Sequence, residues 1–134
     1  MITADTFRLD GRLALVTGSS AGIGLALARG LGQAGASLVL NGRNVSALAA
    51  AAATLRAEGL TVHERAFDVT DANQVKAQVD DIESHIGPLE ILINNAGIQR
   101  RGPLHEYDHS DWQDIMQTNL NSVFFVGQTV AQHM

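Results

Sequence analysis

Apolar residues in this chain fall into short unbroken runs separated by stretches with helical spacing, and the two patterns alternate along its length. Leu13-Ala-Leu-Val16 contains no polar position, as expected of a strand covered on both faces. Ile23, Leu27 and Leu31 then recur every four residues, which predicts a helix turning that stripe toward the strand. Ser37-Leu-Val-Leu40 repeats the strand pattern. A second helix follows, opened by Asn44, carrying Val45, Leu48, Ala49, Ala52 and Leu55 on one face and ending near Glu58-Gly59. Residues 60–67 predict a third strand. Behind Thr70 or Asp71 as cap comes a third helix with Val75, Val79, Ile82 and Ile86 as its stripe and Gly87-Pro88 as its stop. Residues 89–93 give a fourth strand. Ser110-Asp-Trp-Gln113 then reads as a capping box for a long last helix, with Trp112, Ile115, Met116, Leu120, Val123, Phe124 and Val130 as its apolar face.

Strands alternating with helices imply an α/β fold with parallel strands, because a right-handed crossover lays each new strand beside an earlier one. The expected architecture is a Rossmann-type doubly wound parallel sheet with strand order 3-2-1-4. In such a sheet, ligands lie beyond the carboxyl ends of the strands. The polar and glycine-rich segments of this chain fall at those ends.

Gly18, Gly22 and Gly24 stand between the first strand and helix, where a Cβ would obstruct the turn, the approach of a ligand and the packing of helix on strand. Backbone N–H groups and the positive end of the helix dipole then converge on one spot, which suits a pyrophosphate. About twenty residues on, where this fold places the group that reads the adenosine ribose, the chain has Asn41-Gly-Arg-Asn44 and no carboxylate. Gly42 leaves room there and Arg43 offers a charge-assisted fork, which favours NADP(H) over NAD(H) unless Arg43 is only a solvated helix-start residue. Asp68 follows the third strand, as a ligand group or as a turn former. Asn94-Asn-Ala-Gly97 follows the fourth and supplies amides and a close backbone approach. Arg100 and Arg101 lie in the next loop, available to an anionic or hydroxyl-rich substrate such as a sugar acid, or simply solvated.

Thr17-Gly18-x-x-x-Gly22-x-Gly24, together with Asn94-Asn-Ala-Gly97, resembles the short-chain dehydrogenase/reductase family. The resemblance implies an oxidoreductase that moves hydride between a nicotinamide cofactor and a secondary alcohol or ketone. It assigns cofactor contacts to Gly18, Ser20, Gly22, Ile23, Gly24, Arg43, Asp68, Val69, Asn95, Ala96 and Gly97, with Asp68 and Val69 at the adenine. It also implies a catalytic role for Asn119, in a helix kink that holds a proton-relay water; a lone helical Asn is otherwise exposed or bonded to backbone. The family's remaining catalytic Ser, and its Tyr with a Lys four positions later, have no match, since the single tyrosine, Tyr107, is followed at that spacing by Asp111. Residues 1–134 therefore read as the NADP-binding Rossmann half of a single-domain enzyme, cut before a fifth strand, with the Ile91-Leu-Ile93 edge left open. Gln99-Arg-Arg-Gly102 is similar to the gluconate 5-dehydrogenase group of the family, which implies a gluconate/5-ketogluconate type of substrate. The family also implies a homodimer or homotetramer formed through the long last helix. Two other readings stay open: a reductase of acyl-carrier thioesters, and a nucleotide-binding module or partner subunit without catalysis.

Composition narrows the setting. Fourteen acidic against nine basic residues give a net charge of −5, which disfavours nucleic acid and anionic membranes as partners. The absence of cysteine removes disulfides and thiolate metal sites. The five histidines, His63, His85, His105, His109 and His133, read as structural or exposed rather than as an i, i+4 zinc pair beside a Glu, so no metal is expected. No secretory leader is legible at the start and no run approaches about 18 apolar residues, so a cytoplasmic protein is the expectation.

Overall fold

A computed structural model describes residues 1–134. Its four strands, β1 (Leu13–Val16), β2 (Ser37–Gly42), β3 (Val62–Ala66) and β4 (Ile91–Ile93), form one parallel sheet in the order β3-β2-β1-β4, as the strand and helix alternation predicted. Leu15 of β1 lies opposite Val39 of β2 and Leu92 of β4, and Asn41 of β2 lies opposite Arg65 of β3. Around the sheet run α1 (Gly22–Gln33), α2 (Val45–Ala57), α3 (Ala72–His85), α4 (His109–Met116) and α5 (Ser122–His133), with short 3-10 turns at Ala4–Phe7 and Leu104–Glu106.

The unbroken apolar run of β1 has a direct cause. Successive side chains of a strand point to opposite faces, and both faces here are covered. Leu13 and Leu15 enter one layer with Val39 and the α3 and α5 residues Val75, Val79, Ile82, Val126 and Val130. Ala14 and Val16 enter the other, with Leu38 and Leu40 and the α1 and α2 residues Ala28, Leu48, Ala52 and Leu55. The stripe of α3 is as expected, and its cap is Asp71, whose carboxylate accepts from the N–H groups of Asn73 and Gln74. Those donors, the Gln74 N–H foremost, hold the Asp71 carboxyl below the usual carboxylate range.

Two helices turn a different face inward from the one predicted. In α1, Ile23 is 75% exposed and Leu27 is also exposed; the face against the sheet is Gly24, Ala28 and Gly32, with Leu31 at its margin. Small residues let the helix approach closely: a Cβ on Gly32 would stand 2.8 Å from Leu60 Cδ1 and 3.0 Å from Leu38 Cδ1. The bulky stripe lost to the small one because proximity to the sheet, not hydrophobicity, decides this contact. In α2 the buried face is Leu48, Ala51, Ala52 and Leu55, while Val45 and Ala49 face outward.

The last helix departs further. Asp108, not Ser110, is its cap, accepting from the Ser110 N–H. The helix is also not continuous. A π turn at Gln117–Asn121 separates α4 from α5 and adds a residue to the turn, so the apolar phase set before it does not carry through. Ser122, Val126 and Val130 face the sheet, and Trp112, Leu120 and Phe124 are each more than half exposed.

Candidate functional site

All four strands end at one rim, and the segments leaving them line a single cleft of about 650 Å³. Gly18 and Ser20 come from behind β1, Gly42 and Arg43 from β2, Phe67 to Thr70 from β3, Asn95 to Ile98 from β4, and Thr118 from the π turn. Of the residues expected to hold a cofactor, Gly18, Ser20, Arg43, Asp68, Val69, Asn95, Ala96 and Gly97 meet in this cleft. Gly22, Ile23 and Gly24 form the first turn of α1. Arg100 lines an adjoining cleft of about 230 Å³ together with Arg43, Thr70 and Ile98. Arg101 lines neither, and its guanidinium donates to Gln99 Oε1 at 3.2 Å.

Each glycine of the loop after β1 answers a separate demand. Gly18 and Gly22 both have φ of 59°, in the left-handed region that side chains disfavour. A Cβ on Gly18 would also stand 2.8 Å from the Cα of Ala96. On Gly24 it would collide with the Gly18 carbonyl and the Asn95 amide. The donors of the loop then divide sharply. Gly18 N–H goes to Asn41 Oδ1 at 3.1 Å and Ser19 N–H to the Asn41 carbonyl at 2.8 Å. The N–H groups from Ser20 to Gly24 have no acceptor in the protein, and no side chain caps α1. Five consecutive free donors thus stand at the positive end of a twelve-residue helix, an arrangement whose electrostatics favour an anion.

The wall from β4 is stitched to that loop. Thr17 Oγ1 accepts from the N–H groups of Asn95 and Ala96, both at 3.0 Å, and donates to the Ile93 carbonyl at 3.4 Å, which saturates a hydroxyl. Asn95 Nδ2 donates to the carbonyls of Thr17 at 3.1 Å and Gly18 at 3.0 Å. The Asn95 amide is therefore a brace for the glycine loop, leaving only its oxygen without a protein partner. On the opposite side Arg43 is exposed and pairs with no carboxylate, while Asn44 spends its Oδ1 capping α2 through the Ala47 N–H at 2.9 Å.

Asp68 sits where β3 ends. One of its carboxylate oxygens accepts from the Thr70 N–H at 2.9 Å and the Thr70 hydroxyl at 2.7 Å, which fixes the side chain and leaves the other oxygen without a protein donor. Val69 beside it is buried. Asn119 lies in the π turn, and both ends of its amide bind Ile98: Oδ1 accepts from the Ile98 N–H at 2.8 Å and Nδ2 donates to the Ile98 carbonyl at 2.9 Å. Gly97 fits under it, since a Cβ there would stand 3.2 Å from Asn119 Oδ1. Tyr107 donates its phenol to the Arg100 carbonyl at 2.7 Å and lines neither cleft.

Sequence reasoning missed Asn41, Phe67, Ile98 and Thr118 as parts of the site. For Asn41 the available signal was an amide directly after three apolar strand residues, a residue type depleted in strands. The histidine reading also needs correction. His105-Glu-Tyr-Asp-His109 does have the H-E-x-x-H spacing of a zinc helix. The structure splits it between the 3-10 turn and the start of α4, so the two rings do not share a helical face, and no three His, Asp or Glu side chains gather as ligands.

Comparison with known proteins agrees with this geometry. The family model for short chain dehydrogenase matches residues 12–134. Gluconate 5-dehydrogenase of Gluconobacter oxydans is 57% identical over 130 residues, which covers 97% of this chain and 51% of that protein. The 5-keto-D-gluconate 5-reductase of Escherichia coli is 42% identical with the same coverage. The crystal structure of a gluconate 5-dehydrogenase from Burkholderia cenocepacia, in complex with NADP and tartrate, superposes with a TM-score of 0.92 at 51% identity, covering 96% of this chain and 51% of that one. The chain thus spans about half the length of the curated relatives it matches. On the glycine loop, the Asn-Asn-Ala-Gly wall and a family match over nearly all of its length, the chain belongs to the short chain dehydrogenase family.

Proposed function

We propose that residues 1–134 are the NADP(H)-binding half of a single-domain oxidoreductase acting on a secondary alcohol or ketone of the sugar-acid type. The observation that carries this reading is the row of unpaired N–H groups that begins at Ser20, in the lining of the cleft, and runs on through the first turn of α1 to Gly24, with the tips of β2, β3 and β4 forming the other walls. The residues fit a dinucleotide. Ser20 to Gly24 take the diphosphate through backbone donors, with Ile23 exposed beside them. Asp68, with one carboxylate oxygen free of protein donors, and Val69 would hold the adenine. Ala96 and Gly97, on the β4 wall of the cleft, would border the bound dinucleotide. Asn119 holds the backbone of Ile98 and so would fix that part of the cleft lining. When bound, the nicotinamide supplies the hydride chemistry, and the protein supplies orientation and electrostatics.

Arg43 supports NADP(H) over NAD(H): its guanidinium is unpaired, and Gly42 opens the space beside Ser20, whose Oγ is 3.3 Å from where a Gly42 Cβ would be. A hydrogen bond to a charged group contributes about 1.5–3 kcal/mol, roughly tenfold or more in affinity. Arg100, which lines the adjoining cleft, supports an anionic substrate, in keeping with the names of the similar proteins and the tartrate in the Burkholderia structure. Arg101 lies outside both clefts and lends no such support. Exposed Trp112, Leu120 and Phe124 support homo-oligomer contacts along α4, the π turn and α5. A cytoplasmic location fits a chain with no helix long and apolar enough to cross a membrane. The test is fluorescence titration of the full-length protein with NADPH and NADH. NADPH binds more tightly, and Arg43→Ala brings the two affinities together; an unchanged ratio removes the phosphate assignment. Residues 1–134 hold no Tyr with a Lys four positions on, so turnover of gluconate is expected of the full-length protein and not of these residues.

A further inference from the structure

We infer that Asn41, which makes no direct claim on a ligand, is a positioning residue that sets the diphosphate loop against the adenine side of the cleft. Its side chain stands at the tip of β2 between two segments that must be held in register, and the residue is only 1% exposed. Toward the glycine loop, Oδ1 accepts the Gly18 N–H at 3.1 Å. Toward β3, Nδ2 donates to the carbonyls of Arg65 at 3.3 Å and Phe67 at 3.1 Å. The backbone of Asn41 grips the same loop: its carbonyl accepts the Ser19 N–H and its N–H donates to Ser19 Oγ at 3.0 Å. Ser19 Oγ in turn donates to the Val16 carbonyl at 2.6 Å.

Only a carboxamide satisfies this arrangement, because one end must accept and the other must donate twice. The consequence lies in which loop donors remain free. Asn41 takes the N–H groups of Gly18 and Ser19, so the run available to an anion begins at Ser20. The same amide fixes Phe67, the residue before Asp68 and Val69. One buried side chain thereby sets the offset between the two ends of an adenine nucleotide that spans both segments. This inference rests on the dinucleotide reading of the cleft.

The test compares two probes on the full-length protein: 2′-phospho-ADP-ribose, which spans both segments, and adenosine 2′-monophosphate, which reaches only the adenine side. Asn41→Ala weakens the spanning probe by about tenfold, the scale of lost buried hydrogen bonds, and the short probe by less than about threefold. Asn41→Asp faces the Arg65 and Phe67 carbonyls with a third acceptor when ionised and regains a donor when protonated. Its affinity for the spanning probe therefore rises from pH 8.5 to pH 5.5, whereas that of Asn41→Ala does not. Equal loss of both probes, or a spanning-probe affinity within about threefold of the parent in both variants, overturns the inference. A second measurement needs no variant. Amide exchange in the nucleotide-free protein should show Gly18 and Ser19 protected and Ser20 to Gly24 exchanging, the latter slowing when NADPH is added. Gly18 exchanging as fast as Ser20 also overturns it. If the parent protein binds neither probe nor NADPH, the cofactor reading itself falls; normal parent binding with unaffected variants removes only the role of Asn41.

Discussion

At the scale of single residues the cleft is governed by backbone donors and by what keeps side chains out of their way. Gly18 is the strictest position, with a left-handed φ and no room for a Cβ beside Ala96. Gly18→Ala should cost about 1–3 kcal/mol from the backbone conformation alone and weaken NADPH binding, read by chemical denaturation and by titration. His63 of β3 supplies a separate prediction. Partial burial, then the nearby Arg65 and Arg56 charges, hold its pKa below the ordinary value. The folded protein therefore binds fewer protons at His63 than the unfolded chain does, so stability falls as pH drops through about 6.5. His63→Gln should flatten that part of the profile, measured as the urea midpoint between pH 7.5 and pH 5.5. Glycines announce themselves in a sequence. Asn41 did not, because its importance comes from carbonyls 24 and 26 residues away.

At the scale of elements, legibility followed the simplicity of the packing. The strands were plain because a sheet covered on both faces requires uninterrupted apolar residues, and α3 was plain because a single amphipathic stripe meets the sheet. The faces of α1 and the last helix were not. In α1 two stripes compete, one bulky and one small, and the small one is inside because the glycine loop draws the helix against β1 and β2. Ala28→Leu should accordingly destabilise by about 1–3 kcal/mol through overpacking, while Leu27→Gln on the outer face stays within about 0.5 kcal/mol, both read from denaturant midpoints. In the last helix the π turn shifts the phase between α4 and α5, and no apolar pattern reports an inserted residue.

At the scale of the whole chain, two surfaces are open within these 134 residues: the outer edge of β4, which pairs only with β1, and the exposed Trp112 of α4, Leu120 of the π turn and Phe124 of α5. A homo-oligomer buried through the second surface predicts that Leu120→Ser combined with Phe124→Ser lowers the molecular mass measured by light scattering without changing NADPH affinity. An unchanged mass would put the contact elsewhere. The strand order, and the cleft at its carboxyl rim, were readable from alternation alone because crossover handedness leaves few topologies. The residues expected of that rim were scattered over 80 positions of sequence, from Gly18 to Gly97, yet most of them meet within one cleft.

The stitching of Asn95 onto Thr17 and Gly18 bears on the order in which the molecule comes together. Those bonds join groups 77 and 78 positions apart, so the nucleotide cradle cannot acquire its shape from the amino-terminal strand, turn and helix alone. During synthesis it stays unfinished until the fourth strand has emerged and docked, and contacts this distant form slowly because the intervening chain must first be closed. On the proposed reading, competence to grip a dinucleotide is thus a late event in the life of the nascent polypeptide, arriving after its local helices.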